Sequence, residues 1–395
     1  MKPKIRFKGF EGEWKTSTIG DFTTSFSGGT PTAGASEFYG GNIPFIRSGE
    51  IHESKTELFL TEAGLNNSSA KVVEKGTLLY ALYGATSGEV GISKIRGAIN
   101  QAILAIYPNK TVDKRFLANY LQSHKQKIVG ELLQGGQGNL SGALVKSISV
   151  TYPNNREQQT ISDYVDSLDS QISAATSRLA SLKQMKAASL QAMFPQEGET
   201  VPKIKFKGFE GEWKKVKFGT LLKECTDKST SEDEDILLSS AINGVFLNSE
   251  LFGHQRGRSN IGYRKIKRNM LILSAQNLHL GNANVNLRFE HGLVSPAYKI
   301  YDLYNVLPEF MYHWIKREET KKFFLDATTA GASLCRKNIV WTDLYKQNIL
   351  LPKSDTEQQA IATYFTSLDR QISLQSQRLE KLKQIKSACL DKMFV

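Results

Sequence analysis

Residues 157–194 read EQQTISDYVDSLDSQISAATSRLASLKQMKAASLQAMF, and residues 357–394 read EQQAIATYFTSLDRQISLQSQRLEKLKQIKSACLDKMF; 21 of the 38 aligned positions are identical. An internal repeat of this length constrains the fold more than any single motif. Neither copy contains Gly or Pro. Val165, Leu168, Ile172, Ala175, Leu179 and Leu182 of the first copy are matched by Phe365, Leu368, Ile372, Gln375, Leu379 and Leu382 of the second. These alternating three- and four-residue steps are the a/d spacing of a coiled-coil seam. At about 1.5 Å per residue each copy makes a helix roughly 55 Å long. Two ordinary amphipathic helices, each packed on its own domain, would also hide their stripes. The same stripe in the same register in both copies favours pairing of one with the other.

The duplication extends beyond the helices. Residues 3–15 read PKIRFKGFEGEWK and residues 202–214 read PKIKFKGFEGEWK, differing only at Arg6 against Lys205. The chain is therefore a tandem repeat with a period near 200 residues: a lead segment, a body of about 140 residues and a long helix, twice over. The bodies show no obvious match, so the joints do one structural job twice while the bodies do different jobs, or one job on different targets. Residues 195–201, PQEGETV, read as a short polar turn between the halves.

In the first body, β-type runs are expected at 42–46, 77–83, 89–92 and 99–106, separated by Gly-bearing turns (Gly28-Gly29, Gly40-Gly41, Gly84, Gly97). A helix is expected over 113–133, with Phe116, Leu117, Tyr120, Leu121 and Ile128 on one face and glycines at 135, 136 and 138 stopping it, followed by a last strand at 145–152. The second body, 215–355, has the same coarse order: strands at 236–239, 270–274 and 298–301, a helix over 308–324 opened by Pro308, Gly331-Ala332-Ser333, and a last strand at 345–351. The expected class is α+β: two small mixed α/β domains (1–155 and 195–355) joined by two long helices (156–194 and 356–395), the bodies sharing a fold that sequence identity no longer shows.

At 395 residues there is room for two ordinary cores. The formal charge of +12 and pI near 9.3 favour a polyanionic partner. Residues 254–268, HQRGRSNIGYRKIKR, hold six Arg or Lys, no acid, and Tyr263 among them. The first body nets only +2, with Arg47, Lys55, Lys71, Lys94 and Arg96 scattered. No basic cluster lies beside an amphipathic anchor, which speaks against a membrane contact. Cys225, Cys335 and Cys389 stand apart with no CxxC pair, as in a reducing compartment. Residues 1–14 do not read as a signal peptide, and no apolar run reaches the ~18 residues of a membrane span, so a cytoplasmic protein is expected. Residues 135–141, GGQGNLS, fit neither GxxxxGK[ST] nor GxGxxG and read as a helix stop and turn. The six His show no HExxH or close pairing, there is no GxSxG, and Glu232, Asp233, Glu234 and Asp235 read as a solvated loop. Nothing has the spacing of a metal, nucleophile or acid–base site, so binding rather than chemistry is expected.

The doubled pattern EQQ…I…Y…SLD.QIS…RL..LKQ.K…L..MF resembles the conserved regions of the specificity subunit of type I restriction–modification systems, and KI.F.GFEGEW resembles the segment opening each half in that family. Residues 27–31 (SGGTP), 42–51 (NIPFIRSGEI) and 82–88 (LYGATSG) are similar to one class of its target-recognition domains; 281–286 (GNANVN) with 292–298 (GLVSPAY) are similar to another. The resemblance implies antiparallel long helices, a pseudo-two-fold arrangement, and two domains each reading one half of a bipartite site in double-stranded DNA about one turn, or ~10 bp, apart. It implies no active site and no cofactor in this chain. The partners it implies are two methyltransferase subunits, which methylate adenine with S-adenosylmethionine, and motor-nuclease restriction subunits, which use ATP and Mg. An orphan subunit that guides methylation alone is a close variant. On this reading the expected DNA contacts are Arg47, Ser48, Tyr83, Thr86, Ser87 and Asn139 in the first domain, with Lys94 and Arg96 on phosphates; in the second they are Arg256, Arg258, Arg264 and Lys265, with Asn260, Asn277 and Asn282. Phe194 and Phe394 either form docking edges for partners or cap the helical pair. The rival class is a two-headed adaptor that binds proteins or sugars, with no role on DNA; an enzyme with an unrecognised site is a third.

Overall fold

The computed structural model describes residues 2–132, 139–252, 259–329 and 337–395. Two 38-residue helices dominate it, Asn155–Ala192 and Asp355–Lys392. Each opens after a Pro, with an N-cap side chain on the N3 amide: Glu157 N donates to Asn154 Oδ1 (3.0 Å) and Glu357 N to Ser354 Oγ (3.2 Å). The chain divides into two compact units, residues 1–176 with 377–395, and residues 177–376. Each unit therefore takes half of each long helix, a different partition from the linear one drawn on the sequence.

Within the first unit, Leu168, Ala175 and Leu382 form a cluster with Ile172, Leu379 and Ile385 against it, and Lys386 Nζ meets Asp169 at 2.5 Å. The start of the first helix thus lies along the end of the second, antiparallel. Within the second unit, Leu182 joins Ile361, Phe365 and Leu368 in the core, Lys186 meets Asp369 at 2.5 Å, and the Ser189 and Tyr364 hydroxyls stand 2.9 Å apart. The expected seam is the buried one.

The lead segments lock onto the helix starts, which accounts for the repeated EQQ. Arg6 grips Glu157 through Nε (2.6 Å) and Nη2 (2.7 Å), while Lys205 meets Glu357 at 3.2 Å and Trp213 Nε1 donates to the same carboxylate at 3.1 Å. Gln158 Oε1 accepts the Asp113 amide (2.7 Å) and Gln358 Oε1 that of Leu307 (2.9 Å), tying each long helix to the first turn of a body helix.

The two bodies do share a fold. In the first unit a four-stranded antiparallel sheet runs in the order Thr23–Ser27, Ile103–Pro108, Leu78–Ala81, Val90–Ile92; in the second the order is Leu222–Cys225, Tyr298–Leu303, Leu271–Ser274, Ala283–Val285. In both, the strand after the lead segment (Lys15–Thr18; Lys214–Lys217) pairs with the strand before the long helix (Ser149–Tyr152; Asn348–Leu351). The bodies differ beyond this frame. The first adds a second sheet, Leu58–Leu60, Tyr39–Ile46, Gly97–Ile99, Lys71–Val73; the second adds a hairpin, Leu238–Ala241 with Gly244–Leu247, and the pair Arg264–Lys267 with His291–Val294.

Several local expectations are corrected. The helix expected over 113–133 is two, Lys114–Ser123 and Lys125–Leu132, and that over 308–324 is Pro308–Ile315 and Glu319–Leu325. The strand expected over 145–152 begins only at Ser149, because Gly142–Ser147 is a helix capped by Ser141 Oγ on Leu144 N (3.2 Å). Trp341–Lys346 is likewise a helix before Asn348–Leu351. Short apolar runs do not distinguish buried strand from buried helix. The run 99–106 is broken by a turn, so Gly97–Ile99 and Ile103–Pro108 serve different sheets. The first strand of the second body's hairpin runs Leu238–Ala241, two residues beyond the expected 236–239. The glycines at 135, 136 and 138, residues 331–333 and Cys335 lie outside the described residues. Phe194 and Phe394 are cap rather than edge: Phe194 packs on Trp213, Phe310 and Phe365, and Phe394 on Phe116 and Tyr120.

Candidate nucleic-acid interface

In the first unit the three motif segments converge on one rim. Strand Tyr39–Ile46 runs parallel to Gly97–Ile99, and Asn100 N donates to Ile46 O (3.2 Å), so Arg47 and Asn100 leave the sheet at the same end. Ala81 pairs with Ile103 and Leu82 N reaches Ala102 O (2.8 Å), which sets Tyr83 across from Gln101. The Gly28-Gly29 step passes close over this end, with Gly29 N on Ile99 O (3.2 Å); a Cβ on Gly28 would stand 1.9 Å from the same carbonyl oxygen. Only glycine fits there. Asn139 joins the rim through its neighbour, Leu140 N donating to Leu82 O (2.9 Å). Thr86 and Ser87 sit in the turn after Tyr83, where the Ser87 amide and hydroxyl both bond Gly84 O (3.1 and 3.0 Å).

The rim's one arginine is already engaged. Arg47 bonds Glu50 through Nε and Nη2 (both 3.0 Å) and Glu57 through Nη2 (2.7 Å). Burial pushes the Glu50 carboxyl upward, but its bonds from Arg47 and from the Glu57 and Arg47 amides win and hold it at about 2. Arg47 and Ser48 thus open a turn whose shape this ion pair fixes. Lys94 and Arg96 do not join the rim: Arg96 precedes Gly97 at the opposite end of the three-residue strand and pairs with Glu74 at 3.0 Å, and both side chains are exposed. Two rim residues escape sequence reasoning, Thr30 and Gln101, which hydrogen-bond each other. Gln101 was hidden because 99–106 reads as one strand.

In the second unit the basic run is partly strand and heavily paired. Lys265 bonds Glu234, Arg268 meets Glu290 at 2.5 Å, and Arg264 Nη1 donates to Thr226 O (3.2 Å). Glu232, Asp233 and Glu234 are exposed and Asp235 half-buried, and the run is not independent. Glu232 accepts the Ser259 hydroxyl and the Asn260 amide (3.0 Å), and Asp235 meets His291 Nδ1 at 2.6 Å. The hydrogen bond from Lys265, helped by the Thr230 amide, draws the Glu234 carboxyl below its ordinary value. Arg256 and Arg258 lie outside the described residues.

Two asparagines expected as base or backbone contacts are buried. Asn260 is 1% exposed, and its amide is spent on Asp233, giving Nδ2 to Oδ1 (2.6 Å) and accepting the Asp233 amide (2.8 Å). Asn282 is buried and accepts the Ser240 hydroxyl (3.3 Å). The rest of the GNANVN motif is scaffold too. Gly281 has φ of 91°, a left-handed turn position; Asn284 gives to Ser240 Oγ (2.6 Å) and Ala241 O (2.7 Å), and Asn286 to Lys267 O (3.1 Å) and Phe289 O (2.8 Å). Asn277, half-buried, opens that turn, its carbonyl accepting Leu280 N (3.1 Å) and Asn282 N (3.3 Å). Among the described residues no group of three or more His, Cys, Asp or Glu is placed to hold a metal, and no helix is long and apolar enough to cross a membrane.

A family model described as the type I restriction modification DNA specificity domain matches residues 11–184 and 294–384, more than half of the chain. The chain belongs to that family. Membership disfavours the two-headed adaptor with no role on DNA. Among curated members, the chain is similar to the MjaIX specificity subunit of Methanocaldococcus jannaschii (31% identical over 170 residues, 40% of this chain and 38% of that one). It is also similar to the EcoR124I/EcoR124II specificity subunit of Escherichia coli (24% over 184 residues, 44% and 45%). These matches span less than half the length of either relative. Over the whole chain the fold is that of a type I system S subunit from M. genitalium (TM-score 0.62, 15% identity, 100% of this chain and 99% of that one). Residues 185–293, which hold the basic run and GNANVN, fall outside the family match, yet the sheet they help to build repeats that of the first unit.

Proposed function

We propose that the chain is the DNA-reading subunit of a type I restriction–modification complex, each unit reading one half of a bipartite site in double-stranded DNA. The observation that carries this reading is a common frame under different rims: the same sheet order, lead-segment lock and helix anchors recur in both units, while the residues at the sheet ends differ. Repeated frames with divergent rims are what two half-sites of different sequence require. The long helices set the gap between half-sites and carry the outward faces on which two methyltransferase subunits dock, with restriction subunits joining that complex. The chain itself performs no chemistry. S-adenosylmethionine, ATP and Mg belong to the partners, and the complex works in the cytoplasm.

The test is a body exchange. Residues 16–155 are replaced by the corresponding body of another family member, and methylated adenines are mapped in cells carrying each version. One half of the methylated motif should change, with the other half and the gap retained. A change in both halves, or in neither, would overturn the one-unit, one-half assignment.

A further inference from the structure

The rim of the first unit holds an exposed side chain whose hydrogen-bonding groups are only partly used. Gln101 is exposed at the second position of the turn 100–103, closed by Ile103 N on Asn100 O (3.2 Å) and by Ala102 N on Asn100 Oδ1 (3.2 Å). The turn is held on three sides: by the parallel strand through Asn100 N, by the Gly28-Gly29 crossing over Ile99, and by the ladder through Leu82 N on Ala102 O. A glutamine amide has two acceptor lone pairs and two donor hydrogens. The Thr30 hydroxyl takes one acceptor position of Oε1. Across the ladder Tyr83 faces Gln101; burial raises the Tyr83 pKa and the Gln101 amide works against that rise. One acceptor remains beside the amide N–H, on an exposed and braced turn.

We propose that Gln101, braced by Thr30, reads an adenine in the major groove of the half-site bound by the first unit. Adenine alone offers an adjacent donor and acceptor there, N6–H and N7, matching what Gln101 has left; guanine offers two acceptors, cytosine a donor only, and thymine an acceptor only. The bond from Thr30 and the braced backbone of the turn orient the amide plane before DNA arrives. Arg47, tied up by Glu50 and Glu57, helps shape that rim and is not the reader. This assignment rests on the DNA-reading function proposed above and adds the residue and the base.

The experiment maps methylated adenines in cells carrying the full chain as wild type, Gln101→Glu or Gln101→Ala, with its own partner subunits. Gln101→Glu keeps the shape and turns the free donor into an acceptor, which suits the cytosine N4 donor. One position of one half-motif should switch from A to C, by a preference change of ~10- to 100-fold. Gln101→Ala should make that same position degenerate, with the other half-motif and the gap unchanged. Both variants methylating the wild-type motif at every position would overturn the proposal while leaving the DNA-reading function standing. Complete loss of methylation by both variants, with their melting temperatures unchanged, would also overturn it, since a specific base contact should be lost position by position. The absence of any motif that depends on the wild-type chain would remove the DNA-reading function itself, and this assignment with it.

Discussion

Replacing Glu157 by Ala should be one of the most damaging single changes in the chain, and replacing its partner Arg6 by Lys one of the mildest. The Glu157 side chain is only 1% exposed, and both its oxygens are held by Arg6, at 2.6 and 2.7 Å. Arg6 also donates to Gly12 O (2.7 Å) and Glu11 O (2.9 Å), which ties down the whole lead segment. Removing one member of a buried ion pair leaves the other uncompensated and costs about 3–5 kcal/mol. The Arg6 side chain is 16% exposed and keeps its two carbonyls, so the lower end, about 3 kcal/mol, applies. For a unit of this size that corresponds to a fall of roughly 6–12 °C in melting temperature. Arg6→Lys is different because the second unit already shows the outcome. There Lys205 takes one oxygen of Glu357 and leaves it open to the Trp213 indole, at 3.1 Å. In the first unit Arg6 occupies both oxygens, and the buried Trp14 indole N–H has no hydrogen-bond partner among the described residues. A lysine at position 6 frees an oxygen for Trp14, so one gained bond offsets one lost and the net cost stays under about 1 kcal/mol. Urea unfolding of the two variants, followed by near-ultraviolet circular dichroism, compares them directly. A cost below about 1 kcal/mol for Glu157→Ala, or equal costs for the two, would refute the reasoning.

Three further outcomes are expected. His313 is 1% exposed, and burial, followed by the charge of Lys186, lowers its pKa to about 3. Its folded value lies below its unfolded one, so stability is full above about pH 6.5 and declines as pH falls toward 3, by about 1.4 kcal/mol per unit. Between pH 6.5 and 5 the second unit should lose about 2 kcal/mol to this group, and His313→Asn, which installs the residue that the first unit carries at Asn119, should abolish that slope in urea titrations. Phe394→Ala should destabilise the first unit by about 3–5 kcal/mol in thermal melts, because its ring is 6% exposed and packs on Phe116 and Tyr120. Lys94 stands off the rim, so Lys94→Ala should leave the plot of log affinity for duplex DNA against log salt unchanged; a slope flatter by about 0.9 would place it on a phosphate.

What the sequence made legible is what repeats or has a long period. The seam positions of the two helices, their shared register and the lead segments all followed from spacing and identity, because a 38-residue helix without Gly or Pro has few alternatives. The shared fold of the bodies was legible only as a coarse order of elements. Short segments were misread where tertiary packing decides their form: residues 142–147 are a helix capped by Ser141 with Val145 buried, and residues 341–346 a helix with Leu344 buried. The candidate site was legible as motif segments, which do meet at one rim, but not as residue roles. Asn260 and Asn282 were expected on DNA, but the acid and the hydroxyl that absorb them, Asp233 and Ser240, lie 27 and 42 positions away. Thr30 and Gln101 are 71 positions apart, and nothing local marks them as neighbours.

The central claim is that this chain chooses the DNA sequence on which its complex acts. It is tested most directly by mapping methylated adenines across the genome in cells with the gene, in cells with it deleted, and in deleted cells with it restored. The account predicts a two-part motif, separated by a fixed gap, that disappears on deletion and returns with the gene. A methylation map identical in all three, in cells shown to produce the methyltransferase partner bound to this chain, would contradict it.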